Sequence, residues 1–222
     1  MPRELSAEEI RVLGCLLEKA ATTPDNYPLS SNALVNACNQ TTNRDPVVSY
    51  TERQVDQTML GLREAGLART VRGDGQRVHK HKHVAAEVWH VSTPELAVLS
   101  VLMLRGAQTV NELRARTERH GVGLEAGVVD EHLHALASRA EPLVRVLDRR
   151  PGERDPRWMH LLGGEVLAVA QAAAPTGGSG PGEERSTRST VRDDELDALR
   201  RQLGELTRRF DALLDRLGET VD

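Results

Sequence analysis

The chain has 222 residues, of which 39% are hydrophobic and only 2% aromatic, and its formal net charge is −4. These values predict an aliphatic core and exclude a generally basic nucleic-acid-binding protein. Its two cysteines, Cys15 and Cys38, exclude a disulfide framework. No signal peptide is visible, and no apolar run reaches the roughly 20 residues of a membrane span. We therefore expect a soluble, cytoplasmic protein with two buried free thiols.

Charge is unevenly distributed along the chain. Residues 1–162 carry 21 basic and 21 acidic side chains, so the excess of acid lies entirely in residues 163–222. One strip within the balanced region is basic, because residues 69–83 contain five cations and a single acid, Asp74. These cations are Arg69, Arg72, Arg77, Lys80 and Lys82. Either these cations contact a polyanion such as nucleic acid, or they are the solvated side chains of an ordinary surface hairpin.

The first predicted element is repeated later in the chain. SAEEIRVLGCLLEKAATT at 6–23 aligns with STPELAVLSVLMLRGAQT at 92–109, with seven of 18 positions identical. Both segments open with a capping box, Ser with Glu three residues later, and continue with leucines at helical spacing. The sequence therefore predicts two related helices, each at the start of a structural repeat.

The similarity continues beyond these helices. A second helix is predicted to start near Ser30 and near Thr109, and a third begins with VDQ at 55 and with VDE at 129. Each third helix leads into two predicted strands joined by a turn-rich segment, Gly73-Asp74-Gly75 in the first repeat. Three helices followed by a β-hairpin is the order of a winged helix. We predict an α+β, mainly α fold with tandem winged-helix domains at 1–91 and 92–163.

The tail has a different composition. Residues 164–191 are rich in Ala, Gly, Pro and Ser, which predicts a flexible linker. Seven apolar residues then recur at alternating spacings of three and four within 192–219: Leu196, Leu199, Leu203, Leu206, Phe210, Leu213 and Leu217. This heptad pattern predicts a coiled-coil helix and a homo-oligomer. The alternative is a single helix that packs back on the body.

The third helix and hairpin of a winged helix are its usual DNA contacts. In the first repeat Val55, Met59 and Leu62 share the inward face, while Arg53 and Gln57 lie on the outward face near the helix start. We predict DNA contacts from these two residues and from five others: Arg44, Arg72, Arg77, Lys80 and Lys82. Leu60 and Glu64 also point outward and do not suit DNA.

The third helix of the second repeat is a poor DNA-binding element. Its core face is predicted to hold Val129, Leu133 and Leu136. Its outward face has no cation and comprises Gly127, Glu131, His134 and Ser138. We therefore expect the second domain to pack against the first, against another subunit or against another protein.

The stretch HKHKH at 79–83 places His79, His81 and His83 on one face of a strand, where three imidazoles can hold a transition metal. No Cys or acidic partner is evident nearby, so we predict no metal site and keep these histidines only as alternative ligands. The sequence contains no P-loop, nucleophile elbow or HExxH motif. We expect neither an enzyme nor a cofactor.

An amide-rich segment, NACNQTTNRDPV at 36–47, connects the second and third helices of the first repeat. It has two compatible interpretations. In one, Asn39, Asn43 and Asp45 fix the turn by bonding local backbone. In the other, Asn39, Gln40, Asn43 and Arg44 form a polar surface beside the third helix, with Arg44 on a phosphate.

Three segments carry a resemblance to a known family: LLEKAATTPDNYPLSSNALVNACNQTTNRDPV from Leu16, LRGAQTVNELRAR from Leu104 and RWMHL from Arg157. Through them, residues 5–163 resemble the YceH-like family of bacterial proteins of unknown function. The resemblance implies tandem winged helices and brings no established activity. The His79–His83 run departs from the family pattern.

Two functions remain open at this stage. The first is a DNA-binding protein, a transcriptional regulator, that contacts double-stranded DNA through the third helix and wing of the first domain. The second is a winged-helix scaffold that binds proteins and no DNA. Salt dependence separates them, since phosphate contacts weaken steeply with salt and apolar contacts do not.

Overall fold

The computed structural model describes residues 3–72, 79–149 and 152–164, all of which lie in one compact unit of the chain. Seven α-helices lie in these ranges: α1 Ala7–Thr22, α2 Ser31–Cys38, α3 Glu52–Glu64, α4 Ala85–Trp89, α5 Thr93–Arg105, α6 Val110–Thr117 and α7 Ala126–Ala137. Five strands accompany them: β1 Leu29–Ser30, β2 Ala68–Val71, β3 Lys80–His83, β4 Val144–Leu147 and β5 Arg157–His160. The predicted α+β, mainly helical class is confirmed.

Helix α1 begins where its capping box predicts. The Ser6 hydroxyl accepts the Glu9 N–H at 3.2 Å, and the Glu9 carboxylate accepts the Ser6 N–H at 2.9 Å, which satisfies two exposed helix-end donors. The predicted capping box of α5 is also present, at Ser92, and α3 has one at Thr51.

The two repeated helices, α1 and α5, pack against each other in the centre of the core. Gly14 allows this close approach, since a Cβ atom there would lie 3.0 Å from the Leu104 side chain. The Ser100 hydroxyl donates to the Gly14 carbonyl across the same contact, at 3.4 Å. Largely aliphatic side chains fill the surrounding core, as the composition predicts, and both cysteines are buried and free.

The strands form two small antiparallel sheets. The first has the order β1-β3-β2, with Arg69 opposite Lys82 and Thr70 opposite His81. The second pairs β4 with β5. Gln108 adds an isolated bridge to Trp158, so the residue just before the Thr109 N-cap of α6 touches the second sheet.

The inward faces of α3 and α7 are confirmed, because all six predicted residues are buried. Helix α4, after β3, was not predicted. The predicted linker and coiled coil, with the oligomer contacts assigned to Leu196–Leu217, lie outside the described residues. Within the described ranges no helix has the length and apolar character to cross a bilayer.

Candidate nucleic-acid interface

Helix α3 presents its amino-terminal half to solvent. Its start is fixed by Thr51, whose hydroxyl accepts the Gln54 N–H at 3.3 Å. Val55 and Met59 anchor the helix in the core, and Arg53 and Gln57 are exposed on the other side, as predicted.

The same exposed surface also carries acid. Glu52 and Asp56 line a shallow depression with Arg53, Gln57 and Leu60. Leu60 is 46% exposed, a high value for a leucine, and Glu64 lies one turn further along. The helix face is therefore mixed in charge, with the exposed cations Arg53 and Arg63 near its two ends.

The adjacent hairpin is more uniformly basic. Arg69 on β2 lies directly opposite Lys82 on β3, and Lys80 shares their face because alternate residues of a strand point to the same side. His81 points to the opposite, inner face and is buried. The register thus collects three cations on the outer face of β2 and β3.

This arrangement is electrostatically costly by itself. Like charges directly across an antiparallel pair destabilise a sheet, by roughly 0.2–1 kcal/mol relative to a neutral pair. In the described part of the chain no carboxylate forms an ion pair with Arg69, Lys80 or Lys82. An anionic partner would relieve this repulsion.

The other predicted wing cations continue the same strip. Arg72 follows β2 directly and is exposed. Arg77 lies outside the described residues. The described strip therefore comprises Arg69, Arg72, Lys80 and Lys82, which we call the basic hairpin face.

Arg44 corrects one prediction, because it is buried and not available to DNA. Its side chain is fully enclosed and its Nη2 lies 2.5 Å from Glu18 Oε2. Its Nε donates to the Ala37 carbonyl at 3.0 Å and its Nη2 to Gln40 Oε1 at 3.0 Å. Burial raises the pKa of Glu18, but the Arg44 hydrogen bond and charge outweigh it and hold that pKa below its usual value. Arg44 is therefore committed to a buried ion pair.

The amide-rich segment is correspondingly structural. Asn39 donates to the Tyr50 carbonyl at 2.8 Å and accepts the Tyr50 N–H at 2.7 Å, which closes the loop between α2 and α3. Asn43 has φ 58, a left-handed conformation that asparagine tolerates, and its Oδ1 accepts from Arg105 at 2.9 Å. The Asp45 N–H donates to the Leu104 carbonyl at 2.8 Å. The segment shapes a turn and joins the first repeat to α5 of the second.

The histidines of β3 have structural partners. His81 Nε2 lies 3.1 Å from the Ser31 hydroxyl, which also donates to Asp56 at 2.8 Å. The His83 backbone N–H donates to the Tyr27 hydroxyl at 2.6 Å. Burial lowers the pKa of both imidazoles, so both are neutral at pH 7. The described residues contain no cluster of three or more His, Cys, Asp or Glu side chains able to hold a metal ion.

The corresponding hairpin of the second repeat uses its β5 arginine in internal contacts. Arg157 on β5 donates to Glu112 at 2.8 Å and lies 3.4 Å from Glu153. His134 on α7 stacks edge-on against Trp158, with ring centroids 5.1 Å apart. The predicted outward face of α7 is exposed and has no cation among its four residues.

Two residues of importance were not selected from the sequence. Arg69 belongs to the basic strip, but only the strand register brings it opposite Lys82. Glu18 is an unremarkable acid of an amphipathic helix until the fold places Arg44 and Arg119 around it. The signal for Arg69 was the hairpin itself, since Gly73-Asp74-Gly75 limits the possible registers. No local sequence pattern identifies Glu18 as part of a buried ion pair.

Comparisons with known proteins give one family. The model of a family described as "Protein of unknown function, DUF480" matches residues 5–153. A protein named UPF0502 protein YceH from Salmonella typhimurium is 42% identical over 225 residues, which covers 99% of this chain and all of that protein. Proteins of the same name from Salmonella dublin and Salmonella agona match to the same extent.

Proposed function

Because the chain belongs to the DUF480 family, whose description assigns no activity, its function has to be argued from its surface, and we propose that it binds double-stranded DNA as a winged-helix transcriptional regulator. The first repeat makes the contact in this proposal. The second repeat contributes by packing against the first repeat.

The order of elements supports the winged-helix assignment of both repeats. The first repeat runs α1, β1, α2, α3, β2, β3, and the second runs α5, Gln108, α6, α7, β4, β5. In each, a short segment before the second helix pairs with the last strand of the hairpin. A third helix beside such a hairpin is the arrangement that winged helices use on DNA.

The basic hairpin face is the observation that carries the proposal. Arg69, Lys80 and Lys82 lie side by side with no described carboxylate to neutralise them. Phosphates of a duplex supply the missing negative charge, and release of the counterions condensed on the duplex drives such binding.

Helix α3 would then add contacts at its first turns. Arg53 and Gln57 are exposed there, and both side chains can contact phosphates or base edges. Glu52, Asp56 and Glu64 are repelled by phosphates, so the helix does not lie deep in the groove along its whole length. The hairpin supplies most of the affinity in this arrangement, and the helix start supplies orientation.

The test is fluorescence anisotropy with random-sequence duplex DNA across a salt series. One variant carries Arg72→Gln, Lys80→Gln and Lys82→Gln. Its matched control carries Arg114→Gln, Arg149→Gln and Arg154→Gln, which removes the same charge from the second repeat. We expect a log–log salt slope of roughly −4 to −5 for the wild type, about three units shallower in the hairpin variant and unchanged in the control.

Two outcomes would contradict the proposal. One is absence of binding by the wild type even at low salt. The other is equal loss of affinity in the hairpin variant and its control, which would reduce the effect to net charge.

Exposed Leu60 favours a second candidate, a scaffold that binds a partner protein through α3. A leucine at 46% exposure among acidic residues suits an apolar contact better than a phosphate. In a pull-down of the partner, Leu60→Gln would abolish binding, while Val146→Gln, at a site 49% exposed on the second hairpin, would leave it intact. The DNA proposal expects neither change to alter the salt slope.

A further inference from the structure

A small cavity lies where the two repeats meet, away from the basic hairpin face. The amide-rich segment and α1 close it from the first repeat, and α5, α6 and the 3₁₀ turn Glu118–His120 close it from the second. Its polar lining comprises Glu18, Asn43, Arg105, Arg116, Arg119 and His120.

The lining has more cationic than anionic groups. Its one carboxylate, Glu18, is already bound by Arg44 and by Arg119. Arg105 and Arg116 face each other with no acid of the lining to share, and the positive charge of Arg105 adds to burial in lowering the pKa of Arg116. Arg116 has an acidic neighbour outside the cavity lining, Glu112, but at 3.9 Å the two do not form a hydrogen bond.

Three buried nitrogen atoms of these residues have no hydrogen-bond partner within the described structure: Arg105 Nε, Arg116 Nη1 and His120 Nδ1. His120 is only 6% exposed, and burial lowers its pKa to about 4, so the imidazole is neutral at pH 7 and can donate from one nitrogen. An unsatisfied buried donor costs roughly 1–3 kcal/mol, and more when it is charged. Two unpartnered arginine donors and an unpartnered imidazole nitrogen around one cavity indicate a missing acceptor.

The size of the cavity limits what that acceptor is. Its volume of about 10 Å³ is close to the minimum for one water-sized species. A single water molecule has only two lone pairs and no charge, so it leaves the arginine repulsion in place. A monoatomic anion, or one oxygen of a larger oxyanion, satisfies several donors and neutralises the excess positive charge together.

We propose that this cavity is an anion-binding site that takes a chloride ion or a single oxygen of a phosphate group. Arg105, Arg116 and His120 donate to it, all from the second repeat. Arg119, whose side chain is one third exposed, lies on the solvent side of the cavity, where the anion enters. Asn43 holds Arg105 in place from the first repeat, so the bound anion also strengthens the junction between the repeats.

Thermal unfolding at constant ionic strength tests the site. Sodium gluconate, which supplies neither chloride nor phosphate, is replaced stepwise by sodium chloride or by sodium phosphate. At a concentration tenfold above its Kd, the anion that binds raises Tm by about 3–5 °C relative to gluconate. Arg116→Gln abolishes this shift. Arg114→Gln retains it, since Arg114 lies on the same helix but is paired with Glu118 at the surface.

The two salts separate the two sources of the ligand. A shift with chloride identifies a halide site, and a shift with phosphate alone identifies an oxyanion whose remaining atoms lie outside the cavity. An equal Tm in all three salts overturns the proposal, as does a shift that Arg116→Gln leaves intact.

If Arg116→Gln does not fold, bromide-soaked crystals of the wild type decide the halide case. An anomalous peak within about 3.5 Å of Arg116 Nη1 supports the site, and its absence, in a protein whose Tm does not respond to phosphate, overturns it.

Discussion

The two hairpins have the same place in their repeats and opposite surface chemistry. In the first, Arg69 faces Lys82 across the strands and no described acid pairs with either. In the second, Arg157 is held by Glu112 and Glu153 and also donates to the Ala107 carbonyl at 3.1 Å. The first hairpin leaves its charge available for a partner, whereas the second uses its charge to fasten itself to α6.

The third helices differ in the same direction. Helix α3 exposes Arg53 and Gln57, while the aligned positions of α7 are Gly127 and Glu131. His134 of α7 is engaged with Trp158 of its own hairpin. The two repeats therefore differ in that the first exposes cations without an acidic partner among the described residues, whereas the second binds its hairpin arginine internally and exposes a third helix face without cations.

The largest effect is expected where the repeats are joined. Glu18→Ala leaves Arg44 buried without a counter-charge and should reduce the free energy of unfolding by about 3–5 kcal/mol. The lowered pKa of Glu18 means that its ion pairs stabilise the fold above about pH 4.5 and lose this effect as pH falls through the lowered pKa. Urea denaturation at pH 7 measures the loss, and the gap between variant and wild type should shrink in acid.

The control for this prediction is Glu8→Ala, on the exposed surface of the same helix, which should cost under about 1 kcal/mol. Equal losses in the two variants would mean that Glu18 acts only as a helix residue.

The joint also shows what sequence could and could not predict. The repeat, the capping boxes and the buried faces of α3 and α7 follow from local patterns, because helix periodicity and caps are encoded within a few residues. The burial of Arg44 does not follow from a local pattern, because its partners Glu18 and Gln40 are set by how α1 packs on the loop after α2. Arg69 and Lys82 lie between these cases, since both were visible as basic residues but only the register pairs them.

A smaller effect is expected from the buried imidazoles of the second repeat. Neither ring nitrogen of His160 on β5 has a partner in the described structure, and burial lowers its pKa to about 4. The unfolded chain takes up a proton near pH 6.5 and the folded chain only near pH 4, so stability falls between these values. The loss from His160 alone reaches about 2 kcal/mol at pH 5.

The substitution His160→Leu should remove this loss of stability at low pH. We expect the variant to match the wild type within about 1 kcal/mol at pH 7 and to exceed it by about 2 kcal/mol at pH 5, measured by urea denaturation. His132→Leu, at a half-buried position on α7, serves as the control, since it removes an imidazole from the same repeat and leaves His160 in place. Parallel pH profiles for His160→Leu and the wild type would show that His160 has a polar partner or contact with solvent.

The smallest change in stability is expected from the substitution that tests the difference between the two hairpins most directly. Arg69→Glu replaces the like-charged pair with Lys82 by an opposite pair, and should raise the free energy of unfolding by about 0.5 kcal/mol. The same change should weaken duplex DNA binding roughly tenfold or more at moderate salt. Arg149→Glu, on the exposed end of the second hairpin, alters net charge equally and should leave DNA affinity nearly unchanged. A gain of stability together with a loss of DNA binding is expected if these cations repel one another in the free protein and are neutralised by a bound partner. A gain of stability with unchanged DNA binding would mean that DNA does not contact the cations of that face. The exposed surface of α3 around Leu60 would then be the better candidate for an interface.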